Sequence, residues 1–127
     1  MISTAGLGFD NDWTGYQHWR DQFAEVIDPR FYTIEWLDRN IWNCSFRFWS
    51  NEDAAIIAEI KEYPTGAKEV HGLIAAGDLQ GIVRLIPEAE EWGRSLGCIV
   101  AGISSREGWS KVLTGYQVHQ VTIQKEL

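Results

Sequence analysis

The stretch Asp78-Leu-Gln-Gly-Ile-Val-Arg-Leu-Ile-Pro-Glu-Ala-Glu-Glu-Trp-Gly-Arg-Ser-Leu-Gly-Cys-Ile-Val-Ala-Gly-Ile-Ser104 decides how the chain folds. Its apolar residues Ile82, Val83, Leu85, Ile86, Ala89, Trp92 and Leu96 recur at the spacing of a helix with one face on a core. Asp78 stands where an N-cap belongs, its carboxylate able to accept from first-turn N–H groups. Gly97 stands where a left-handed residue closes a helix. Pro87 lies inside the pattern, where it removes a donor and crowds the Val83 carbonyl; this predicts a kink, or a second helix starting at Pro87. Cys98 to Ile103 then runs apolar without alternation, as a strand covered on both faces does. With a strand over about Glu69 to Ala76 before it, the stretch makes a strand–helix–strand unit. Its helix N-terminus opens at a strand end, where α/β proteins hold phosphate-bearing ligands.

Upstream, Asp10-Asn-Asp12 offers caps for a helix over about Asp12 to Glu25, carrying Trp13, Tyr16, Trp19 and Phe23 at spacings of three and four. Asp28-Pro29 predicts the start of a second helix that ends near Trp42. From Cys44 the period changes to two. Phe46 and Phe48 alternate with Arg47 and Trp49, and a polar turn follows at Ser50 to Asp53. Ala54 to Tyr63 reads as the next strand, with Ile56, Ala58 and Ile60 on one face and Ile57, Glu59 and Lys61 on the other. After a turn at Pro64-Thr-Gly66, Lys68 to Ala76 sets Val70, Gly72 and Ile74 opposite His71, Leu73 and Ala75. These three strands form an antiparallel meander. Downstream, Ser104-Ser-Arg-Glu107 fits a capping box for a short helix ended by Gly115, and Tyr116 to Glu126 alternates as a closing strand. Residues 1–9 form a loose lead-in or a short edge strand. The expectation is one domain over residues 1–127, an α+β (mixed α/β) fold with a central, mostly antiparallel sheet and helices on both faces.

Composition narrows the function classes. The chain has 127 residues, 45% hydrophobic, with seven tryptophans, enough for a core without metal or disulfide support. A net charge of −7 without any basic cluster argues against nucleic-acid binding. No apolar run reaches the length of a membrane span, and the N-terminus lacks a signal-peptide pattern. The two cysteines, Cys44 and Cys98, share no metal or redox spacing and read as buried thiols in a reducing compartment. His18 and His119 have no ligand-spaced neighbours, so no metal site is expected. Too many aromatics crowd the first helices for a small domain: Trp13, Tyr16, Trp19, Trp36, Trp42 and Trp49 either pack beneath the helices or leave a subset exposed for a protein partner.

The order of elements resembles the GNAT N-acetyltransferase fold over nearly the whole chain. Ile60-Lys-Glu-Tyr-Pro64, Ala76-Gly-Asp78, Glu91-Trp-Gly-Arg-Ser-Leu-Gly-Cys98 and Arg106-Glu-Gly-Trp109 resemble small GNAT-like proteins of tailed phages and prophages. Some relatives of that group resemble the internal virion protein A of podoviruses. The resemblance implies acetyl-CoA as cofactor, its pyrophosphate cradled by an Arg/Gln-x-x-Gly-x-Gly/Ala loop entering the helix after the fourth strand. The corresponding positions are Gly77, Asp78, Leu79, Gln80 and Gly81, within Ala75-Ala-Gly-Asp-Leu-Gln-Gly-Ile82. That run lacks the glycine pattern, has no arginine before Arg84, and puts a carboxylate at the donors a pyrophosphate needs. Family members also place a tyrosine four residues before a Gly-Phe pair, as the acid for the leaving thiolate. Gly115-Tyr116 resembles the pair, but Lys111 stands at the acid's position and reads as a solvated residue. Tyr116 takes the place of the phenylalanine.

Of the candidate bases, His71 lies on the strand beside the cleft the resemblance implies, and its plain reading is a half-buried strand histidine. Glu59 and Glu62 read as solvent-facing. Ser104 and Ser105 sit at a strand-to-helix turn without Gly-x-Ser-x-Gly around them, and helix capping accounts for them. Gly102 marks a bulge or a close approach of another backbone, or equally plain packing against the central helix. The reading is a phage-associated GNAT-like module without cofactor, structural or partner-binding. It would sit in the host cytoplasm or the virion, with a protein partner such as a phage structural protein or a second copy. The alternative is an acetyl-CoA-dependent N-acyltransferase with an atypical CoA loop, using His71 or a strand carboxylate as base, with Tyr116 a further catalytic candidate.

Overall fold

The computed structural model describes residues 9–104, 112, 113, 115–119 and 123–127. Helix α1 spans Trp13–Val26 and helix α2 spans Ile34–Trp42. Strands β1 (Arg47–Ser50), β2 (Ala54–Glu62) and β3 (Lys68–Gly77) follow, then helix α3 (Leu79–Ser95) and strand β4 (Val100–Ile103). The sheet order is β1-β2-β3-β4; the first two pairings are antiparallel and β3 with β4 is parallel. This is the mixed α+β architecture expected, with helices on both faces.

Period-two alternation decides which helix covers which face. Ala55 and Ile57 of β2 point at α1 and α2, where Tyr16, Trp19, Phe23, Leu37 and Ile41 bury against Phe46 and Phe48. Ala54, Ile56, Ala58 and Ile60 point the other way, toward Ile82, Leu85, Ala89 and Trp92 of α3. Of the aromatics in question, Tyr16 and Trp19 are buried, and Trp13, Trp36 and Trp49 are half-buried. Trp42 alone of that set is exposed, at 71%. They are core first.

Caps place the helices. Asp12 accepts from the Gly15 N–H at 3.0 Å and starts α1. The preceding Asn11 turns inward instead. Its amide donates to the Ile41 and Phe46 carbonyls at 2.9 and 2.8 Å and its oxygen accepts from Phe48 N–H at 2.9 Å, so a side chain occupies the outer edge of β1. Helix α2 starts later than Asp28-Pro29 predicts. Asp28 instead closes a turn, its carboxylate accepting from the Arg30 N–H and its carbonyl from Phe31 and Tyr32, and Thr33 caps α2 through Trp36. A local side-chain turn won over the helix-start signal.

Three further expectations change. Helix α3 runs unbroken through Pro87, so no second helix starts there. The strict alternation over β3 fails at Leu73: Ile57 pairs with Ile74 but Ala58 pairs with Gly72, which leaves Leu73 as the extra residue of a bulge. Beyond it the faces exchange, so Ile74 packs toward α1 and Ala75 toward α3. Among the described residues strand β4 is not fully covered: Val100 is 51% exposed and the rest of the strand half-buried, at the end of the sheet. Gly97 does take a left-handed φ of +84°, with the Cys98 N–H returning to the Gly93 carbonyl at 2.9 Å. Of the predicted lead-in over residues 1–9, residues 1–8 lie outside the described residues. So does nearly all of the short helix after Ser104. Of the predicted closing strand, residues 116–119 and 123–126 are described and none is in a strand.

Candidate functional site

Pairing between β3 and β4 is short. It runs from Glu69↔Val100 to Gly72↔Ile103, whereas β3 continues to Gly77. The bulge at Leu73 begins where this pairing ends, because the extra residue bends β3 away from its neighbour. The two strands therefore split, and a cavity of about 180 Å³ fills the gap. Ile56, Gly72, Ala75, Ile82, Ile86 and Ala89 line it from β2, β3 and α3, and Gly102, Ile103, Ser104 and Tyr116 from the far side. Gly102 is not bulged. A Cβ there would meet a Glu69 carboxylate oxygen at 2.4 Å, so the glycine admits that side chain.

Tyr116 stands at the rim of this cavity and of a second, more polar one of about 370 Å³ beside α3 and β4. Its hydroxyl donates to Glu90 of α3 at 2.8 Å. Burial, then the bond to that carboxylate, pushes the phenol well above its ordinary pKa. Tyr116 is thus held as a protonated donor to Glu90. Glu90 had no sequence signal, because it reads as one more solvated position on α3.

His71 is buried on the opposite face of the sheet from α3, directly across from Glu59 in the β2–β3 register. Its Nε2 lies 3.0 Å from Ser104 Oγ, and its Nδ1 lies 3.5 Å from Glu59 Oε1. Glu59 is buried, not solvent-facing. The alternating pattern placed it on the face of Ile57, and that face is covered here. Ser104 is no plain cap either, since its hydroxyl meets His71 across 33 residues of chain. Glu62 is exposed as expected. The structure brings His71, Glu59 and Ser104 together, with Ser104 reaching the cavity, and places Tyr116 separately at the α3 side.

The stretch Gly77–Gly81 forms the start of α3 at the other end of β3. Asp78 caps the helix, its carboxylate accepting from the N–H groups of Gln80 and Gly81 at 3.1 and 3.3 Å. Both glycines have packing reasons. Gly77 has φ +99°, and a Cβ there would lie 2.3 Å from the Asp53 carbonyl oxygen. A Cβ at Gly81 would lie 2.9 Å from Ala54. Asn51 donates to the Gly81 carbonyl at 3.0 Å and Arg84 pairs with Asp53 at 2.8 Å, so the β1–β2 turn is fastened against this helix end. The pyrophosphate of acetyl-CoA does not fit this geometry. Two first-turn donors already serve a carboxylate, and the close glycines face protein rather than an open loop.

Cys44 and Cys98 are half-buried rather than buried, and burial raises the Cys98 thiol pKa. Among the described residues no group of three or more His, Cys, Asp or Glu is placed to hold a metal ion, and no helix is long and apolar enough to cross a membrane.

No family model matches the sequence, and no curated protein matches it at a significant level. Solved structures do match in fold. An acetyltransferase of Trypanosoma brucei superposes with a TM-score of 0.66 at 13% identity, over 91% of this chain and 95% of that one. The glucosamine-6-phosphate N-acetyltransferase of Arabidopsis thaliana gives 0.65 at 11% identity, over 93% and 95%. An aminoglycoside acetyltransferase from an uncultured soil metagenomic sample gives 0.59 at 13% identity, over 91% and 93%. At such identities the likeness is one of fold, and the fold is GNAT-like.

Proposed function

We propose that this chain is a GNAT-fold module that does not anchor acetyl-CoA at α3 and works by binding a protein partner, within or alongside a phage particle. One observation carries the reading: the Asp78 carboxylate occupies the helix end that would otherwise receive a pyrophosphate. An anion brought there meets like charge at a helix terminus whose partial positive charge is already compensated. Support for a partner comes from Phe31, Tyr32 and Trp42, on α2 and its lead-in, which remain 64%, 48% and 71% exposed. The local likeness of the Glu91–Cys98 and Arg106–Trp109 phrases to small phage proteins supports the setting. Location in the host cytoplasm or the virion, and a second copy as partner, belong to the same proposal.

Calorimetric titration with acetyl-CoA checks it. Wild type is expected to give no saturable binding up to about 1 mM, where the free energy available is only about −4 kcal/mol. Saturation in the micromolar range by the wild-type protein would sink the reading. Mass spectrometry of purified phage particles tests the setting: the chain is expected among the structural proteins, and a stable monomer found in no phage fraction counts against it.

A second reading is favoured by the split itself. An apolar cavity flanked by the free side of β3 suits a slender ligand lying between two strands, as an acyl-thioester arm would. On that reading the chain is an N-acyltransferase that holds its acyl donor through the arm and not through the phosphates, with His71 and Tyr116 as candidate base and acid. Binding of a pantetheine thioester in the absence of CoA binding would select it.

A further inference from the structure

We propose that Ser104, His71 and Glu59 form a nucleophile–base–carboxylate relay that opens on the β3–β4 split and hydrolyses small, uncharged acyl esters. The relay stands whether or not the chain binds acetyl-CoA, because it uses none of the α3 end. Three residues from three strand positions converge. Glu59 of β2 and His71 of β3 are register partners, and Ser104 follows the last residue of β4. The Ser104 Oγ to His71 Nε2 distance of 3.0 Å allows the hydroxyl to donate to the imidazole in its Nδ1–H tautomer, the one the relay uses. In that tautomer the Nδ1 proton faces Glu59 Oε1 at 3.5 Å.

The Nδ1 atom is the distinctive one. Among the described residues it is the sole buried side-chain nitrogen or oxygen without a hydrogen bond. A structural histidine only 7% exposed would be expected to have closed that bond, because an unmet buried polar atom costs free energy. A base that must become cationic has a use for the gap. When Nε2 takes a proton, the imidazolium and the Glu59 carboxylate attract, and a movement of about half an ångström makes a charge-assisted bond. Serine, base and orienting carboxylate then stand in the order that nucleophilic hydrolysis requires.

The cavity supplies the substrate class. Ser104 is exposed and lines it, while His71 sits behind Ser104 away from solvent. Its walls are chiefly aliphatic, and a volume near 180 Å³ is close to the roughly 150 Å³ that accommodates a benzene-sized molecule, so an acyl group of about four to six carbons fits. Glu90 lines the cavity and, within a chain of net charge −7, disfavours anionic substrates. Beyond Gly72 the β4-facing backbone of β3 pairs with no strand among the described residues and offers peptide N–H groups to the ester carbonyl oxygen.

The steps balance without a cofactor. Ser104 Oγ bonds to the carbonyl carbon while its proton passes to His71 Nε2, and the carbonyl π pair moves to oxygen. Collapse breaks the bond to the alcohol oxygen, which leaves with the Nε2 proton. Water, giving a proton to Nε2, then attacks the acyl-serine, and carboxylic acid departs as Ser104 regains its hydrogen.

The test uses the full chain with p-nitrophenyl butyrate and, separately, a fluorophosphonate probe followed by intact-mass and peptide mass spectrometry. Expected are one phosphonyl adduct located on Ser104 and an esterase rate that Ser104→Ala lowers at least about a hundredfold. Ser104 is exposed, so this variant leaves the core untouched. Glu59→Gln, checked for folding by circular dichroism, is expected to retain the adduct and to lower kcat at least about tenfold with KM held, and Glu59→Asp to recover part of that loss, because the carboxylate orients the imidazole. No adduct on Ser104, or a Ser104→Ala rate within tenfold of wild type, overturns the proposal. An adduct with an unchanged Glu59→Gln kcat overturns the role of Glu59.

Discussion

Single residues in this chain matter most where a side chain reaches across the sequence. Asp38 of α2 accepts from Arg20 Nε and Nη2 at 2.9 and 2.8 Å and from the Tyr16 hydroxyl at 2.6 Å, tying the two helices together. Partial burial pushes the Asp38 carboxyl up, but the bonds from Arg20 and Tyr16 outweigh it and hold the group below its usual value. A carboxyl lowered in the folded state stabilises above its unfolded pKa, near 3.9, and that contribution is lost as pH falls through the folded value. Asp38→Asn is therefore expected to cost about 1–2 kcal/mol at pH 7, with half-exposed Arg20 keeping the figure modest. The difference from wild type should shrink below about pH 4; urea titrations at a series of pH values check it, and a gap that stays constant from pH 7 to pH 3 would refute it. On the alkaline side, burial and then Asp38 raise the Tyr16 phenol, so its share of stability is present below pH about 10 and lost above. None of these partners is visible in the linear pattern, where Asp38 is one more polar position on an amphipathic helix.

At the scale of elements, α3 shows how burial overrides a local signal. Pro87 is exposed on the outer side of α3 while Leu85, Ala89 and Trp92 hold the inner side to the sheet, so the helix continues past the missing donor. The cost of the proline remains. Pro87→Ala is expected to raise stability by about 2 kcal/mol, the roughly 3 kcal/mol interior penalty less the gain in unfolded-chain entropy. Chemical denaturation with an unchanged m-value would show it, and a lower midpoint would mean that the proline fits a bend α3 needs. Strand β3 is the converse case. Its residues alternate cleanly in sequence, yet the chain spends one residue at Leu73 on a bulge, and the split follows from that residue. A bulge has no sequence signature here, because Leu73 is an ordinary strand residue and the decision lies in pairing with β2.

Among the described residues the sheet carries one buried cluster beneath α1 and α2 and two beneath α3. Leu37 belongs to the cluster beneath α1 and α2, Leu85 to one of those beneath α3, and these two clusters share no residue. Leu37→Ala and Leu85→Ala should each cost about 3 kcal/mol through lost burial and the cavity left behind. With no shared partner their effects should add to within about 0.5 kcal/mol. A double-mutant cycle by urea unfolding reads this directly, and a coupling above about 1 kcal/mol would show that the sheet transmits strain between its faces.

Hydrophobic period, caps and turns, all local, determined the order and type of seven elements, the two faces of β2, the Asp78 cap and the left-handed Gly97. The cap was legible because a capping carboxylate and its target N–H groups lie within three residues. Only the tertiary structure decided which long-range partners meet. It buried Glu59 opposite His71, set Ser104 against the same imidazole, gave Tyr116 to Glu90, and opened the split beside the Leu73 bulge. The physical reason is one of range: a cap or a helix face is set by neighbours a few residues away, whereas a strand register joins residues that no spacing relates.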